Sequence, residues 1–124
     1  MPRYKFHHTH LISSDPEKTA EFYMKIFGAE KGAGLKTPSG SVSVPLKLNG
    51  SSILVSSPRT QPPKYGLDHF GIATDNMEAT VKELKSSGAK FQVEPTEIRP
   101  GTKIAFFWAP ENVLIELVED KSLF

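Results

Sequence analysis

An internal repeat constrains this chain more than any other feature of its sequence. His8 and His69 lie 61 positions apart, and Gly28 and Gly88 lie 60 positions apart. Each histidine opens a strand-like segment that leads through capping residues into a helix, and each glycine follows the last turn of that helix. Copies of one supersecondary unit seldom bury their apolar faces separately. The repeat therefore predicts that the two copies pack against each other in a single domain, residues 1–124.

The first copy is predicted to span residues 4–57 or so, in the order βαβββ. Residues 4–13 are strand-like, the pair Ser14 and Asp15 is cap-like, and Pro16 suits the first helical position. Apolar residues recur at helical spacing as far as Phe27, and Gly28 suits the position after the last turn. Residues 32–56 are predicted to hold three strands, the last two joined by a hairpin at Asn49 and Gly50.

The second copy repeats this order after a connector at about residues 58–66, which is rich in proline and turn-forming residues. Residues 67–74 are predicted to form a strand, and Asp75 or Asn76 to cap a helix that ends at Gly88. Strands are predicted at residues 90–93, 103–108 and 113–119, so that the copy extends to about residue 120. Two copies of this order predict an α+β fold.

Composition excludes several classes of partner and site. Fifteen Lys and Arg residues against fourteen Asp and Glu give a net charge of +1, so no nucleic-acid partner is expected. The chain has no cysteine, so a metal ion would need His, Asp or Glu ligands. The sequence shows no membrane-spanning run and no signal peptide, which predicts a cytoplasmic protein without a membrane partner.

Three residues are candidate ligands of a divalent metal ion: His8, His69 and Glu116. His8 and His69 occupy matching positions of the repeat, and Glu116 interrupts an apolar strand, where an ionised carboxylate needs a partner. Two imidazoles and a carboxylate suit Zn, Mn, Fe, Co or Ni. The alternatives are that the histidines are packed or surface residues and that Glu116 faces solvent on one side of an antiparallel sheet.

Strand alternation predicts what surrounds these ligands. Gly71 and Ala73 share a face with His69 and leave space beside its ring, whereas Phe70 and Ile72 point to the opposite face, where a helix is expected to pack. His10 shares the face of His8 and is a candidate substrate-contacting or orienting residue.

Three segments resemble the vicinal-oxygen-chelate superfamily, which includes glyoxalase I, methylmalonyl-CoA epimerase, bleomycin-resistance proteins and extradiol dioxygenases. They are HTHLISSDPEKTAEFYMKIFGAE, LDHFGIATDNMEATVKELKSSGAKF and KIAFFWAPENVLIELVE. The first matches the signature of the family's first module at His8, Asp15, Phe22, Tyr23 and Gly28. The other two match the second module at His69, the Asp75 and Asn76 cap, Gly88 and Glu116.

The resemblance implies two tandem βαβββ modules in a glyoxalase-like incomplete barrel, with His8, His69 and Glu116 as metal ligands. It implies a lyase or isomerase that acts on a small oxygen-rich metabolite through an oxyanion bound to a divalent metal, because the family's metal enzymes use the cation as a Lewis acid. It also implies a homodimer.

The sequence departs from glyoxalase I and the epimerase at their fourth ligand, where Leu54 or Val55 stands and neither can bind a metal. His10 is the candidate for the base that this position supplies in the family. A set of three metal ligands is more similar to the pattern of the superfamily's thiol transferases or dioxygenases. Two other hypotheses remain, a metal-free protein that binds or sequesters a small molecule such as an antibiotic, and a structural or regulatory dimer whose histidine faces are packed shut.

Overall fold

The computed structural model describes residues 2–38 and 40–124. In that part of the chain the helices are α1 (Pro16–Phe27) and α2 (Met77–Ser86), and the strands are β1 (Tyr4–Ile12), β2 (Glu30–Lys31), β3 (Leu35–Lys36), β4 (Val42–Leu48), β5 (Ser51–Ser56), β6 (Gly66–Thr74), β7 (Lys90–Arg99), β8 (Thr102–Ala109) and β9 (Val113–Asp120). This order confirms the α+β class.

The chain divides into two compact units, and the first comprises His8–Asp68. Its strands follow the order β2, β4, β5, β1, with β3 also paired to β4. β1 and β5 are parallel, whereas β4 is antiparallel to its partners. Helix α1 packs on one face of this sheet, and the core there contains Ala20, Ala29, Val44, Leu46 and Val55.

The prediction of one continuous first strand within residues 32–56 was wrong. Two short strands, β2 and β3, take its place along β4, and β2 already begins at Glu30. The intervening sequence contains Gly32 and Gly34. Glycines inside a strand weaken it because they have no side chain to pack and lose more entropy on ordering, which accounts for the interruption.

The second unit comprises the amino-terminal segment up to His7 and His69–Phe124. Its strands follow the order β6, β9, β8, β7, with β6 parallel to β9 and the other pairs antiparallel. The core under α2 contains Met77, Val81, Ala105, Phe107, Ile115 and Leu117. Phe70 and Ile72 pack against this core, which confirms the face predicted for them.

The amino-terminal segment belongs to this second unit through specific contacts. Arg3 pairs with Asp75 at 2.8 Å, and the rings of Phe6 and Phe70 stack with their centroids 6.0 Å apart. The unit boundaries therefore cut through β1 and β6, whereas the predicted modules begin with these strands. The single-domain organisation and its module boundaries stay predictions.

The predicted caps and turns are confirmed. Asp15 accepts a hydrogen bond from the backbone N–H of Lys18, and Asn76, rather than Asp75, accepts one from Ala79. Gly28 ends α1 in the left-handed conformation, at φ 75°. The hairpin between β4 and β5 places Asn49 and Gly50 at positive φ, as a tight turn of this kind requires.

Strand β7 extends to Arg99, beyond the predicted end at residue 93. Its register with β8 shifts at three places, one of them between Val93 and Thr96, where Pro95 cannot donate a ladder hydrogen bond. This irregularity hides the continuing strand from a search for regular alternation.

Helix α1 buries a narrower face than its apolar periodicity suggests. Ala20 is buried, but Phe22, Ile26 and Phe27 each expose more than half of their surface. The helix itself was predicted correctly. The helical spacing of these apolar residues does not mean that their side chains are buried. Among the described helices, neither has the length and apolar character needed to cross a membrane.

Candidate metal-ligating residues

His69 and Glu116 form a hydrogen-bonded pair inside the second unit. The Nε2 atom of His69 lies 3.0 Å from Oε1 of Glu116. The His69 side chain is 1% exposed and that of Glu116 is 15% exposed, so the pair is largely shielded from water. Glu116 does not simply face solvent; it is directed at the histidine that the repeat singles out.

Strand pairing explains why these side chains meet. β6 and β9 are parallel neighbours in which Gly71 is the partner of Glu116. His69 lies two residues before Gly71 and therefore shares its face of the sheet. Since Gly71 has no side chain, nothing on β6 fills the space beside the carboxylate at that register position.

Phe106 completes the surroundings of the pair and was not predicted. It is the register partner of Glu116 on β8, and its ring meets the imidazole of His69 edge to face, with centroids 5.1 Å apart. The alternation of β8 contains the signal: Ala105 and Phe107 enter the core, so Phe106 must occupy the other face. Its ring limits the orientations available to His69.

The His69 and Glu116 atoms fit a divalent transition metal. Two ligand atoms at about 2.1 Å from one metal ion lie about 3.0 Å apart when the angle between them is close to 90°. The observed distance of 3.0 Å between Nε2 and Oε1 agrees with such neighbouring ligands. The donor set, an imidazole nitrogen and a carboxylate oxygen, is the kind that Zn, Fe, Co and Ni accept.

In the first unit, His8 and His10 share one face of β1. Both are nearly buried, at 8% and 5% exposure, and their ring centroids lie 6.2 Å apart. Each offers a ring nitrogen as a possible metal ligand, and these two atoms lie within 4.8 Å of each other. Within the described residues of this unit, His8 and His10 are therefore candidate ligands of a metal ion.

Leu54, and not Val55, occupies the position of the first copy that corresponds to Glu116. In the first unit His10 is the partner of Leu54, just as Gly71 is the partner of Glu116 in the second. Val55 instead is fully buried in the core beneath α1. The first copy thus holds an apolar side chain at the place where the second copy holds its carboxylate.

Two serines hold His10 and were also missed by the sequence analysis. The Nε2 atom of His10 is hydrogen-bonded to Oγ of Ser56 at 2.9 Å, and Ser56 Oγ is 3.0 Å from Oγ of Ser43. Ser43 and Ser56 are register partners on β4 and β5. Their sequence signal is weak, because serines in strands are common and only the register brings them to one histidine.

The metal role predicted for His8, His69 and Glu116 stays a prediction, as does a substrate-contacting role for His10. The structure pairs His69 with Glu116 and places His8 beside His10 on one strand face.

A family model decides what kind of protein this is. The model of the Glyoxalase/Bleomycin resistance protein/Dioxygenase superfamily matches residues 5–117. This chain belongs to that superfamily. The match extends over both copies of the repeat and confirms the resemblance seen in the three sequence segments.

Three curated relatives align over most of the chain. The uncharacterized protein YwkD of Bacillus subtilis is 31% identical over 121 residues, covering 91% of this chain and 94% of its own length. The mitochondrial methylmalonyl-CoA epimerase of Homo sapiens is 28% identical and covers 91% and 72%, respectively. A probable lactoylglutathione lyase of Vibrio cholerae is 26% identical and covers 98% and 94%.

Solved structures confirm the glyoxalase-like fold. The hypothetical protein BH1468 of Bacillus halodurans superposes with a TM-score of 0.78 at 23% identity and covers 95% of both chains. Methylmalonyl-CoA epimerase of Mycobacterium tuberculosis superposes with a TM-score of 0.73 at 19% identity, over 93% of this chain and 87% of its own. At these identities the structural likeness establishes the fold alone.

Proposed function

We propose that this protein is a metal-dependent enzyme of the glyoxalase superfamily that carries out a lyase or isomerase reaction on a small, oxygen-rich metabolite. His8, His69 and Glu116 would hold the divalent ion. The observation that carries the proposal is the shielded contact of 3.0 Å between Nε2 of His69 and Oε1 of Glu116. A carboxylate directed at an imidazole in this way supplies two of the three donors the family signature requires.

Each residue has a defined part in this proposal. When bound, the ion would act as a Lewis acid that stabilises negative charge developing on a substrate oxygen. His69 and Glu116 would contribute one neutral and one anionic ligand, and Phe106 would keep the His69 ring in its orientation by edge-to-face contact. Gly71, the register partner of Glu116, has no side chain and leaves a place beside the carboxylate, whereas Ala73, for which the sequence also predicted open space, is 1% exposed and therefore packed.

The relatives favour proton-transfer chemistry over the other reactions of the superfamily. Two of them are named as a lactoylglutathione lyase and a methylmalonyl-CoA epimerase. We therefore propose a substrate with a carbonyl group beside an acidic C–H bond, whose proton would pass to solvent water while the resulting oxyanion is stabilised.

The first experiment measures bound metal in protein purified without a histidine tag. Wild type is compared with His8→Ala, Glu116→Gln and the control His7→Ala by plasma mass spectrometry after reconstitution with Zn, Mn, Fe, Co or Ni. We expect one ion per chain in wild type and in the control and a loss in the other two. His7 is a suitable control because strand alternation places it on the face opposite His8.

The second experiment measures the reaction. Methylmalonyl-CoA and lactoylglutathione are incubated with the loaded protein in D₂O, and loss of the C–H signal is followed by proton NMR. Exchange that depends on both metal and Glu116 supports the proposal. Failure of wild type to bind any of the five metals would overturn it in favour of metal-free small-molecule sequestration, whereas binding without exchange would contradict the proposed reaction class.

The homodimer implied by the superfamily belongs to the same proposal. Sedimentation equilibrium at several protein concentrations tests it directly, because a stable dimer gives twice the 13.7 kDa mass of the chain. A single species at the monomer mass would contradict it.

A further inference from the structure

The two copies of the repeat differ at one pair of adjacent positions on the ligand face. The second copy has Gly71 beside Glu116. The first copy has His10 beside Leu54 at the corresponding register. The first copy therefore lacks the carboxylate but gains an imidazole on the neighbouring strand, next to the place where the carboxylate would project.

His10 lies in an environment that would hold a metal ligand in place. It is 5% exposed, and its Nε2 atom is hydrogen-bonded to Ser56, which is in turn bonded to Ser43. Metal-binding histidines almost always hydrogen-bond through their second ring nitrogen, usually to a carboxylate, a backbone carbonyl or water, which fixes the tautomer and the ring orientation, and the Ser56 hydroxyl can serve the same purpose here. With Nε2 engaged by Ser56, Nδ1 is the atom through which His10 would bind an ion.

His8 adds the second observation. It lies on the same face of β1 as His10, and a ring nitrogen of each lies within 4.8 Å of the other. Atoms at this separation reach a common ion with small side-chain rotations, because two ligands on opposite sides of one ion are about 4.2 Å apart. The pair can therefore chelate a metal from one strand.

We infer that His10 is a further ligand of the metal ion, bound through Nδ1 and held by the Ser56 and Ser43 hydroxyls, in place of the carboxylate that Leu54 cannot supply. This inference rests on the proposed function, because it adds a fourth protein ligand to His8, His69 and Glu116. It replaces the role of base considered for His10, since an imidazole with Nδ1 on the ion and Nε2 bonded to Ser56 has no nitrogen left to accept a proton. Three imidazoles and one carboxylate favour Zn, Fe, Co or Ni over Mn and Mg, which prefer oxygen ligands.

Titration with Co²⁺ tests this inference, since its visible absorption reports the number and type of ligands and requires no catalytic turnover. We compare wild type with His10→Ala, Ser56→Ala, Ser56→Thr and the control Thr9→Ala. Thr9 neighbours His10 in sequence but points to the opposite face of β1. Far-UV circular dichroism and urea unfolding of each variant verify that it is folded.

The expected losses follow the order of contact with the ion. His10→Ala should raise the Kd for Co²⁺ by at least about 100-fold and change the absorption bands. Ser56→Ala should raise the Kd by about 10- to 100-fold, as the loss of a residue that hydrogen-bonds to a metal ligand usually does. Ser56→Thr retains a hydroxyl and should recover most of the affinity. Thr9→Ala should bind like wild type.

The possible failures are distinguishable. If His10→Ala keeps the wild-type Kd and spectrum while Glu116→Gln loses the metal, the inference about His10 is overturned and the proposed function stands. Ser56→Ala takes the place of His10→Ala in this comparison if His10→Ala does not fold. If wild type binds no Co²⁺, both the inference about His10 and the proposed function are overturned.

Discussion

Nε2 of His69 lies 3.0 Å from Oε1 of Glu116, a separation that suits either a hydrogen bond or two ligands of one ion. A pair that is only hydrogen-bonded and a pair that binds an ion should respond differently to added metal. If the pair binds an ion in the folded state only, an ion at 100 times its Kd adds about 2.7 kcal/mol to the free energy of unfolding, which corresponds to roughly 10 °C in Tm for a chain of this size.

We expect Zn²⁺ or Co²⁺ to raise the Tm of wild type by this amount and to leave the Tm of Glu116→Gln unchanged. Differential scanning calorimetry with and without EDTA measures both. Glu97→Gln, an exposed carboxylate on β7, is the control and should respond like wild type. An equal rise in Glu116→Gln would show that the ion binds elsewhere.

Leu117 supports the strand that carries Glu116, so the site depends on its packing. Leu117 is 1% exposed and belongs to the core beneath α2. Leu117→Ala should lower the free energy of unfolding by about 2 to 5 kcal/mol, because it removes buried methyl groups and leaves a cavity. Leu35→Ala, at a side chain that is 70% exposed, should cost less than about 0.5 kcal/mol. Urea unfolding at neutral pH measures both, and equal losses would contradict the assigned core.

Asn76 fixes the start of α2. Its side-chain Oδ1 accepts a hydrogen bond of 3.0 Å from the backbone N–H of Ala79, which satisfies one of the first amide groups of the helix. Asn76→Ala should lower the free energy of unfolding by about 1 kcal/mol, and Asn76→Asp, which keeps the acceptor, should lower it by much less. Urea midpoints of the two variants measure the difference. Similar losses in both would mean that the loss in Asn76→Ala does not come from the missing side-chain acceptor.

Asp75 is expected to make the stability of the protein depend on acidic pH. Its side-chain hydrogen bond from Arg3, aided by the backbone N–H of Arg3, lowers the pKa of Asp75 below its usual 3.8. A carboxylate with a depressed pKa stabilises the folded state above the unfolded pKa, and this stabilisation is lost as pH falls through the folded pKa.

Asp75→Asn should therefore have a lower Tm than wild type at pH 7, and the difference should shrink once the pH falls below 3.8. Calorimetry across this range measures it. Arg3→Gln should remove a similar increment at pH 7, and the double variant little more, since both substitutions break one ion pair. A difference that does not change with pH would contradict the role of the Asp75 charge.

Local patterns predicted the elements that hold the site because those patterns act over a few residues. Helix caps and tight turns are short-range features. The turn at Asn49 and Gly50 appears in the structure as predicted, and each helix cap lies at one member of its predicted pair, Asp15 and Asn76. The split at the start of the first sheet and the irregular β7 were missed because glycine and Pro95 break the alternation that identifies a strand.

Register could not be obtained from one sequence, and register determines the neighbours of each ligand. Leu54 and Val55 are equivalent choices until the pairing of β1 with β5 shows that Leu54 lies beside His10. Ser56 is likewise an ordinary strand serine until its hydrogen bond to His10 is visible. Long-range pairing, which residue spacing alone leaves open, therefore supplied the new features of the site.

Exchanging the ligand pattern between the copies gives the sharpest test of that register. The variant His10→Gly/Leu54→Glu gives the first copy a glycine and a carboxylate, as the second copy has at Gly71 and Glu116. We expect His10→Gly alone to bind Co²⁺ at least about 100-fold more weakly than wild type, as expected for His10→Ala, because both lose the same donor.

The double variant should recover to within about 10-fold of the wild-type Kd, with shifted absorption bands, since a carboxylate oxygen replaces an imidazole nitrogen in the ligand set. His10→Gly/Leu54→Met is the matched control: methionine has a volume close to that of leucine but offers no oxygen ligand. Recovery in the Glu variant but not in the Met variant would place residue 54 within reach of the ion. Equal affinity in both double variants would mean that the side chain at position 54 does not approach the metal, and the correspondence between Leu54 and Glu116 would then be structural only.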